Sequence, residues 1–115
     1  MITMKAKLKE TLIAFFQYCD TLKGNQITIQ EYISTNKNNF DRHFTTSSKL
    51  VFEMTNFGVR MSGARAMFMG EKQSYEIGVD RIIHFEQLKE NEYELIEKYS
   101  ETAHRKSILL FEILN

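Results

Sequence analysis

The sequence lacks proline and tryptophan altogether, and it has a single cysteine, Cys19, among its 115 residues. One cysteine excludes an internal disulfide and a cysteine-based zinc cluster. Cys19 lies among apolar side chains at helical spacing, which is typical of a buried structural thiol rather than a nucleophile. There are also no low-complexity stretches and no internal repeats, so nothing indicates a linker. We therefore expect one domain that spans residues 1–115.

The sequence also lacks an excess of either charge, because 15 basic residues balance 15 acidic ones. Nucleic-acid binders usually carry a basic excess, since phosphate contacts dominate their affinity. No apolar run approaches the ~20 residues of a membrane span. The amino-terminal stretch is charged where a signal peptide would need its apolar centre. These absences predict a cytoplasmic protein that binds neither nucleic acid nor membranes.

The first clear pattern in the chain is that of an amphipathic helix over residues 4–22. Its apolar residues recur at spacings of three and four, so they form one stripe on the helix surface. These residues are Leu8, Leu12, Phe15, Phe16, Cys19 and Leu22. Gly24 follows the stripe, and glycine favours the left-handed conformation that ends a helix.

A second helix is predicted to begin at Thr28, because Thr28 and Glu31 match the capping box of a helix start. Ile29, Ile33, Phe40 and Phe44 would continue its apolar stripe. The polar stretch between Ile33 and Phe40 has weak helix propensity and could break this helix.

From Lys49 the apolar period changes to two, which predicts a strand over residues 49–55. Residues 56–58 would turn the chain, and residues 59–61 would form a short return strand. The next stretch, residues 64–70, favours a helical turn. Its alternative is a strand, in which case the C-terminal half would form a small Sm-like barrel.

Three segments rich in β-branched and aromatic residues follow, at residues 79–89, 93–100 and 105–114. Short polar connections join them, so they predict an antiparallel meander and an α+β fold with N-terminal helices on a sheet. Both faces of the last strand are apolar: Leu109 and Phe111 lie on one face, Ile108 and Leu110 on the other. The second face needs a cover, which predicts a homodimer through the outer sheet face. A strongly curved sheet that wraps itself is the alternative.

This order of elements resembles the fold shared by nuclear transport factor 2, the SnoaL-like cyclases and ketosteroid isomerase. The resemblance is carried by residues 40–70, FDRHFTTSSKLVFEMTNFGVRMSGARAMFMG, and by the closing residues 108–115, ILLFEILN. It implies a curved antiparallel sheet, a cystatin-like cone, that surrounds the helices and leaves a cavity for a small, mostly apolar ligand. The family usually adds one more strand, whereas this sequence stops at Asn115, so the resemblance implies a more open pocket.

The resemblance also implies where a site would lie. Its cavity would be lined by the first helix and the sheet, through Phe15, Phe16, Tyr18, Phe52 and Met54. The catalytic base of ketosteroid isomerase would fall at Met54, beside Glu53, and its helical tyrosine near Phe15. The position of its late acid would fall near Ile108 or Leu109. These side chains are apolar, so we expect no ketosteroid isomerisation.

Three residues remain as catalytic candidates: Glu53, His84 and Asp80. A histidine in a partly apolar environment can exchange protons near neutral pH, but Asp80 and His84 are too far apart along one strand for a direct pair. His43 is expected at a helix end and His104 in a solvated hairpin loop. No two histidines and a carboxylate show the spacing of metal ligands, so the sequence predicts neither a metal nor a cofactor.

Two functions follow from these patterns. The first is a small-ligand-binding pocket protein of SnoaL-like type, with a cyclase-like or isomerase-like activity left open. The alternative is a non-catalytic dimeric interaction module that uses the outer sheet face.

Overall fold

The computed structural model describes residues 4–35, 40, 45–60 and 64–113. Within these ranges the fold is α+β, with one α-helix followed by eight strands in two antiparallel sheets. The elements are α1 (Met4–Asp20), β1 (Gln26–Ser34), β2 (Thr45–Glu53), β3 (Asn56–Arg60), β4 (Arg65–Met69), β5 (Ser74–Gly78), β6 (Ile82–Lys89), β7 (Glu92–Lys98) and β8 (His104–Glu112). No helix in these ranges has both the length and the apolar character that crossing a membrane requires.

The strands are divided between a five-stranded sheet, in the order β2-β1-β8-β7-β6, and a three-stranded sheet, in the order β3-β4-β5. The chain leaves the large sheet at Met54 and Thr55, and it returns through a short 3-10 turn at Val79–Arg81. The chain therefore passes from the large sheet to the small sheet between β2 and β3, and it passes back between β5 and β6.

The predicted first helix is confirmed as α1, and its apolar stripe is buried. Leu12, Phe15, Phe16 and Cys19 all belong to the core. Gly24 has a φ of +94°, as the sequence predicted for a helix-ending glycine. Its N–H donates a hydrogen bond of 2.8 Å to the carbonyl of Met54, which connects the end of the helix to the end of β2.

The core lies between the two sheets and is rich in aromatic rings. Phe68 on β4 contacts Phe111 on β8, with ring centroids 6.5 Å apart. Phe15 on α1 reaches Tyr93 on β7, at 4.5 Å. Because α1 packs against both β3 and β6, it closes one side of the space between the sheets.

The predicted second helix is wrong where the structure describes it, because Gln26–Ser34 is strand β1. Ile27 and Ile29 are both fully buried and alternate with half-buried Thr28 and Gln30, which is the period of a strand. The segment also contains β-branched residues that suit a sheet. Residues 36–39 and 41–44 of the expected helix lie outside the described residues.

Two predictions in the middle of the chain are also wrong. Asn56–Arg60 is not a turn with a return strand but strand β3, which pairs with β4 and not with β2. Arg65–Met69 is strand β4 and not a helical turn. Ala66 and Phe68 are buried and alternate with half-buried neighbours, so the period of two decided this segment. The strand alternative was thus correct, although these strands form a sheet separate from the meander.

The C-terminal meander is confirmed, since β6 pairs with β7 and β7 with β8, all antiparallel. The predicted faces of β8 are confirmed too, with Leu109 and Phe111 buried inside. Strand β6 differs, because it has register shifts between Ile82 and His84 and between Gln87 and Lys89. Such bulges reverse the face that the following residues occupy. Ile82 and Phe85 therefore both point inward, although a regular alternation would place residues three apart on opposite faces.

Candidate functional site

An open apolar cleft lies between α1 and β3. Its volume is about 400 Å³. Phe16 and Phe57 form its floor, with ring centroids 6.1 Å apart and each ring less than a tenth exposed. Ile13 and Val59 form its sides, at 50% and 41% exposure. The remaining lining residues are Gln17, Asp20 and Gly58.

The sequence builds this cleft from two local patterns. On α1, Ile13, Gln17 and Asp20 are spaced by four and three residues, so they form a second strip beside the buried stripe. On the other side, β3 is an edge strand of the small sheet and presents Phe57 and Val59 on one face. Asp20 is exposed and forms an ion pair with Lys23 at 3.3 Å. The cleft is therefore apolar at its centre and polar at one rim.

A network of charged and phenolic groups joins the two sheets on the inner side. Arg105 on β8 donates to the carboxylate of Glu97 at 2.8 Å and to that of Glu31 at 3.2 Å. Glu97 also accepts from the N–H of Gly78 at 2.8 Å and from the hydroxyl of Tyr99 at 2.6 Å. Because Gly78 belongs to the small sheet and Glu97 to the large one, the network holds the sheets together.

Tyr75 extends this network from the small sheet. Its hydroxyl lies 2.7 Å from that of Ser107 and 3.2 Å from the Glu31 carboxylate. Burial raises the pKa of Tyr75, and burial together with the hydrogen bond to Glu97 raises the pKa of Tyr99 to about 12. Burial alone would lower the pKa of Arg105, but its hydrogen bond to Glu97 and the nearby phenol and carboxylate groups raise it.

These groups also border a second, polar cleft of about 550 Å³. The guanidinium of Arg105 is held charged and both phenols are held neutral at physiological pH. None of the three is thus suited to exchange protons there. The arrangement fits a structural connection whose outer side is open to solvent, rather than an acid–base site.

A third cluster lies on the opposite, outer face of the large sheet, at its β6 edge. The Nε2 atom of His84 lies 3.1 Å from Oε2 of Glu94 and 3.7 Å from Oε2 of Glu86. Glu86 and Glu94 are directly opposite in the β6–β7 ladder. The ligand atoms of all three residues lie within 4.8 Å of one another. This is where the structure places the predicted catalytic candidate His84.

The other two catalytic candidates lie elsewhere. Asp80 is exposed in the 3-10 turn, and Glu53 is exposed at the end of β2. Among the described residues, Glu53, Asp80 and His84 share no hydrogen bond or ion pair with one another. The structure therefore does not bring the three candidates into one site.

The residues expected to line a pocket behind α1 have different environments. Phe15, Phe16 and Met54 are buried in the core, and Phe52 packs against it half-buried. Tyr18 is exposed on α1, where its hydroxyl donates to the side chain of Asn91 at 2.6 Å. A pocket behind the helix stays a prediction, whereas the cleft described above lies beside the helix and shares Phe16 with the predicted set.

Of the two remaining histidines, His104 differs from the prediction and His43 is not among the described residues. His104 is not a solvated loop residue, because it begins β8 and is 4% exposed. The predicted last strand, residues 105–114, therefore begins one residue earlier in the structure, at His104.

Sequence reasoning missed both the cleft and the network. Ile13, Val59 and Gln17 carry no chemical motif, and only the edge position of β3 makes them neighbours. The network combines residues from β1, β5, β7 and β8, which are distant in sequence. One sequence feature could have indicated the network: Glu31 and Glu97 occupy the inward positions of strands whose buried residues alternate with a period of two.

Comparison with known proteins adds no relative: none of the family models, curated proteins or solved structures that were compared with the chain matches it.

Proposed function

We propose that this protein binds a small, mostly apolar molecule in the cleft between α1 and β3. The observation that supports the proposal is the composition of the cleft: aromatic and aliphatic side chains at its floor and sides, with an amide and a carboxylate at one rim. Its volume, about 400 Å³, falls in the range of small-molecule sites. A few polar groups beside an apolar surface are what orients such a ligand.

The proposal is binding and leaves a reaction aside. Asp20 is the one ionisable residue among those that line the cleft, and it is exposed and paired with Lys23. A general base needs a position within hydrogen-bond reach of the proton it removes and a partner that stabilises the developing charge. The described lining of the cleft offers no such pair.

The likeness to the SnoaL-like and nuclear transport factor 2-like fold is retained as part of the proposal, in a coarse form. It is supported by an N-terminal helix packed against a mostly consecutive antiparallel sheet, and by an apolar cleft that the helix borders. The conical shape and the cavity inside it belong to the proposal alone. Against it stands β1, which occupies the chain position of the family's second helix.

The proposal can be tested with N-phenyl-1-naphthylamine, a dye whose fluorescence rises in apolar surroundings. The wild-type protein is expected to bind one dye molecule. Ile13→Lys and Val59→Lys place a charge in the cleft at positions that are already half exposed, so folding should be preserved. Each is expected to weaken binding about tenfold or more.

Ile83→Lys is the matched control, because Ile83 is 45% exposed on β6 and does not line the cleft. It should bind the dye like the wild type. Equal loss in all three variants, or equal binding in all three, would show that the dye reports general surface hydrophobicity and would remove the support for the cleft.

A second candidate function is a dimeric interaction module that uses the outer face of the large sheet. It is favoured by one observation: Ile96, Ile108 and Leu110 lie half-buried on that face, between charged side chains of β7 and β8. Homodimer interfaces often have such an apolar centre with a polar rim.

A further inference from the structure

We propose that His84, Glu86 and Glu94 form a binding site for a divalent transition-metal ion of the zinc or nickel type, on the outer face of the large sheet. The site is separate from the apolar cleft. It requires a different chemistry, since an imidazole nitrogen and two carboxylate oxygens are ligands of borderline metals.

The separations of the two carboxylate oxygens from the imidazole nitrogen are close to those around one metal ion. Two ligands bonded to a central ion at 2.0–2.2 Å lie about 3.0–3.6 Å apart, depending on the coordination angle. The observed separations from Nε2 of His84 are 3.1 Å to Glu94 and 3.7 Å to Glu86. Only Glu86 needs a small side-chain movement, and it is the most exposed of the three, at 57%. The remaining coordination positions face solvent, where water can occupy them.

The backbone places these ligands on one face by means of the bulge in β6. Ile82 pairs with Glu97, but His84 pairs with Ile96 and Glu86 with Glu94. In a regular ladder that continued from the first of these pairs, Ile83 would lie opposite Ile96 and His84 opposite Leu95, on the core side. The bulge therefore turns His84 outward, to the face that carries Glu86 and Glu94.

The charges around the triad independently favour a cation. Glu86 and Glu94 are directly opposite each other, and like charges in that position are destabilising. In the described part of the chain, the single ion pair of Glu86 is with His84. Lys106 lies 4.0 Å from the other oxygen of Glu94, and its ammonium also lies over the rings of Tyr32 and Phe40. Oε2 of Glu94 is within hydrogen-bond distance of Nε2 of His84, and a metal ion bound to both atoms would replace this contact.

The test is isothermal titration of the metal-free protein with zinc, nickel and magnesium chloride, each alone. We expect one zinc or nickel ion per chain and much weaker magnesium binding, because magnesium disfavours an imidazole ligand. His84→Gln and Glu94→Gln should each weaken binding at least about tenfold. Lys106→Met should strengthen it, since this change removes a competing positive charge.

Glu92→Gln is the matched control, because it removes one carboxylate from β7 at a position outside the triad. It should leave the affinity unchanged. A second readout is the NMR signal of the three histidine rings, in which the ring of His84 should respond first to substoichiometric zinc. Binding that survives His84→Gln, follows the ring of His43 instead, or stays weaker than millimolar would overturn the site.

Discussion

Glu97 is only 1% exposed, and both oxygens of its carboxylate accept hydrogen bonds. Arg105, Tyr99 and the N–H of Gly78 all donate to it. A buried carboxylate is tolerated when its charge is paired and its oxygens are hydrogen-bonded, because otherwise the cost of desolvation would be several kcal/mol. Gly78 leaves room for these side chains, because a Cβ at this position would lie 3.0 Å from Nη1 of Arg65, 3.2 Å from Cδ of Arg81 and 3.4 Å from Oε2 of Glu97.

Tyr99 allows a prediction on pH at the residue scale. Its pKa is raised from the ordinary value near 10 to about 12 in the folded protein, so the fold favours the neutral phenol. The stabilisation is fully present below pH 10 and is lost as pH rises through 12, because the unfolded chain loses the proton first. Urea unfolding between pH 8 and 12 should therefore show a falling free energy of unfolding above pH 10.

Tyr99→Phe provides the comparison for this prediction. It removes the titrating hydroxyl, so its free energy of unfolding should fall less steeply above pH 10 than that of the wild type. Tyr75→Phe should act in the same direction, since burial raises the pKa of Tyr75 as well. An identical slope in the wild type and both variants would show that these phenols do not titrate differently in the fold.

At the scale of elements, the sequence predicted those segments whose apolar period had one interpretation. Helix α1 and the meander of β6, β7 and β8 are examples, and both are confirmed. The prediction for the segment that forms β1 was wrong because Ile29 and Ile33 are four residues apart, which also fits a helix. In addition, Thr28 and Glu31 resemble a capping box. Tertiary pairing with β2 and β8 overrode this local signal.

The proposed metal site of His84, Glu86 and Glu94 could not be predicted from the sequence for a similar reason. A two-residue turn after Lys89 would pair Gln87 with Glu94 in a regular hairpin. The register shift between Gln87 and Lys89 instead pairs Gln87 with Tyr93 and Glu86 with Glu94. Two bulges in one strand thus decide which residues share a face, and neither has a glycine or proline to mark it.

Arg105 gives a prediction at the element scale, because it connects β8 to β1, β7 and β5. Arg105→Met would leave the carboxylate of Glu97 buried without a cation, and Glu31 without its ion pair. Breaking a buried pair in this way costs about 3–5 kcal/mol of stability. Urea denaturation should show this loss as a lower midpoint.

Lys98→Met is the control for this change. It also replaces a cation with methionine on a strand of the large sheet, but its ion pair with Glu101 is exposed. Exposed pairs contribute about 0–1 kcal/mol, so the midpoint should change little. If the two variants lost equal stability, the inter-sheet network would contribute no more than a surface pair.

At the scale of the whole molecule, the two faces of the large sheet have different surroundings. The inner face packs against the small sheet and α1 through a gradient, apolar at Phe111 and Ile27 and charged at Arg105 and Glu31. The outer face has no covering sheet in the described ranges, yet it carries Ile108 and Leu110 beside Lys106 and Glu94. A second copy of the chain would cover these apolar side chains while leaving the charged ones at the rim.

The last prediction follows from this face. Light scattering should give twice the monomer mass at tens of micromolar protein. The reason is that removing the apolar surface of this sheet face from water lowers the free energy of the dimer. Leu110 lies on β8, the middle strand of the five, opposite Thr28 on β1 and Glu92 on β7. Leu110→Glu would bury an unpaired charge in a dimer and should weaken association at least about a hundredfold, whereas the monomer tolerates the change because Leu110 is not fully buried in it. Leu88→Glu, at a residue that is 42% exposed on edge strand β6, makes the same change away from the middle strand and should leave the dimer intact. A wild-type protein that is monomeric at these concentrations would contradict this prediction and show that the outer face is in contact with solvent. The half-buried leucine and isoleucines of that face would then be covered by charged side chains of the same sheet, because the aliphatic stems of such side chains can lie across them.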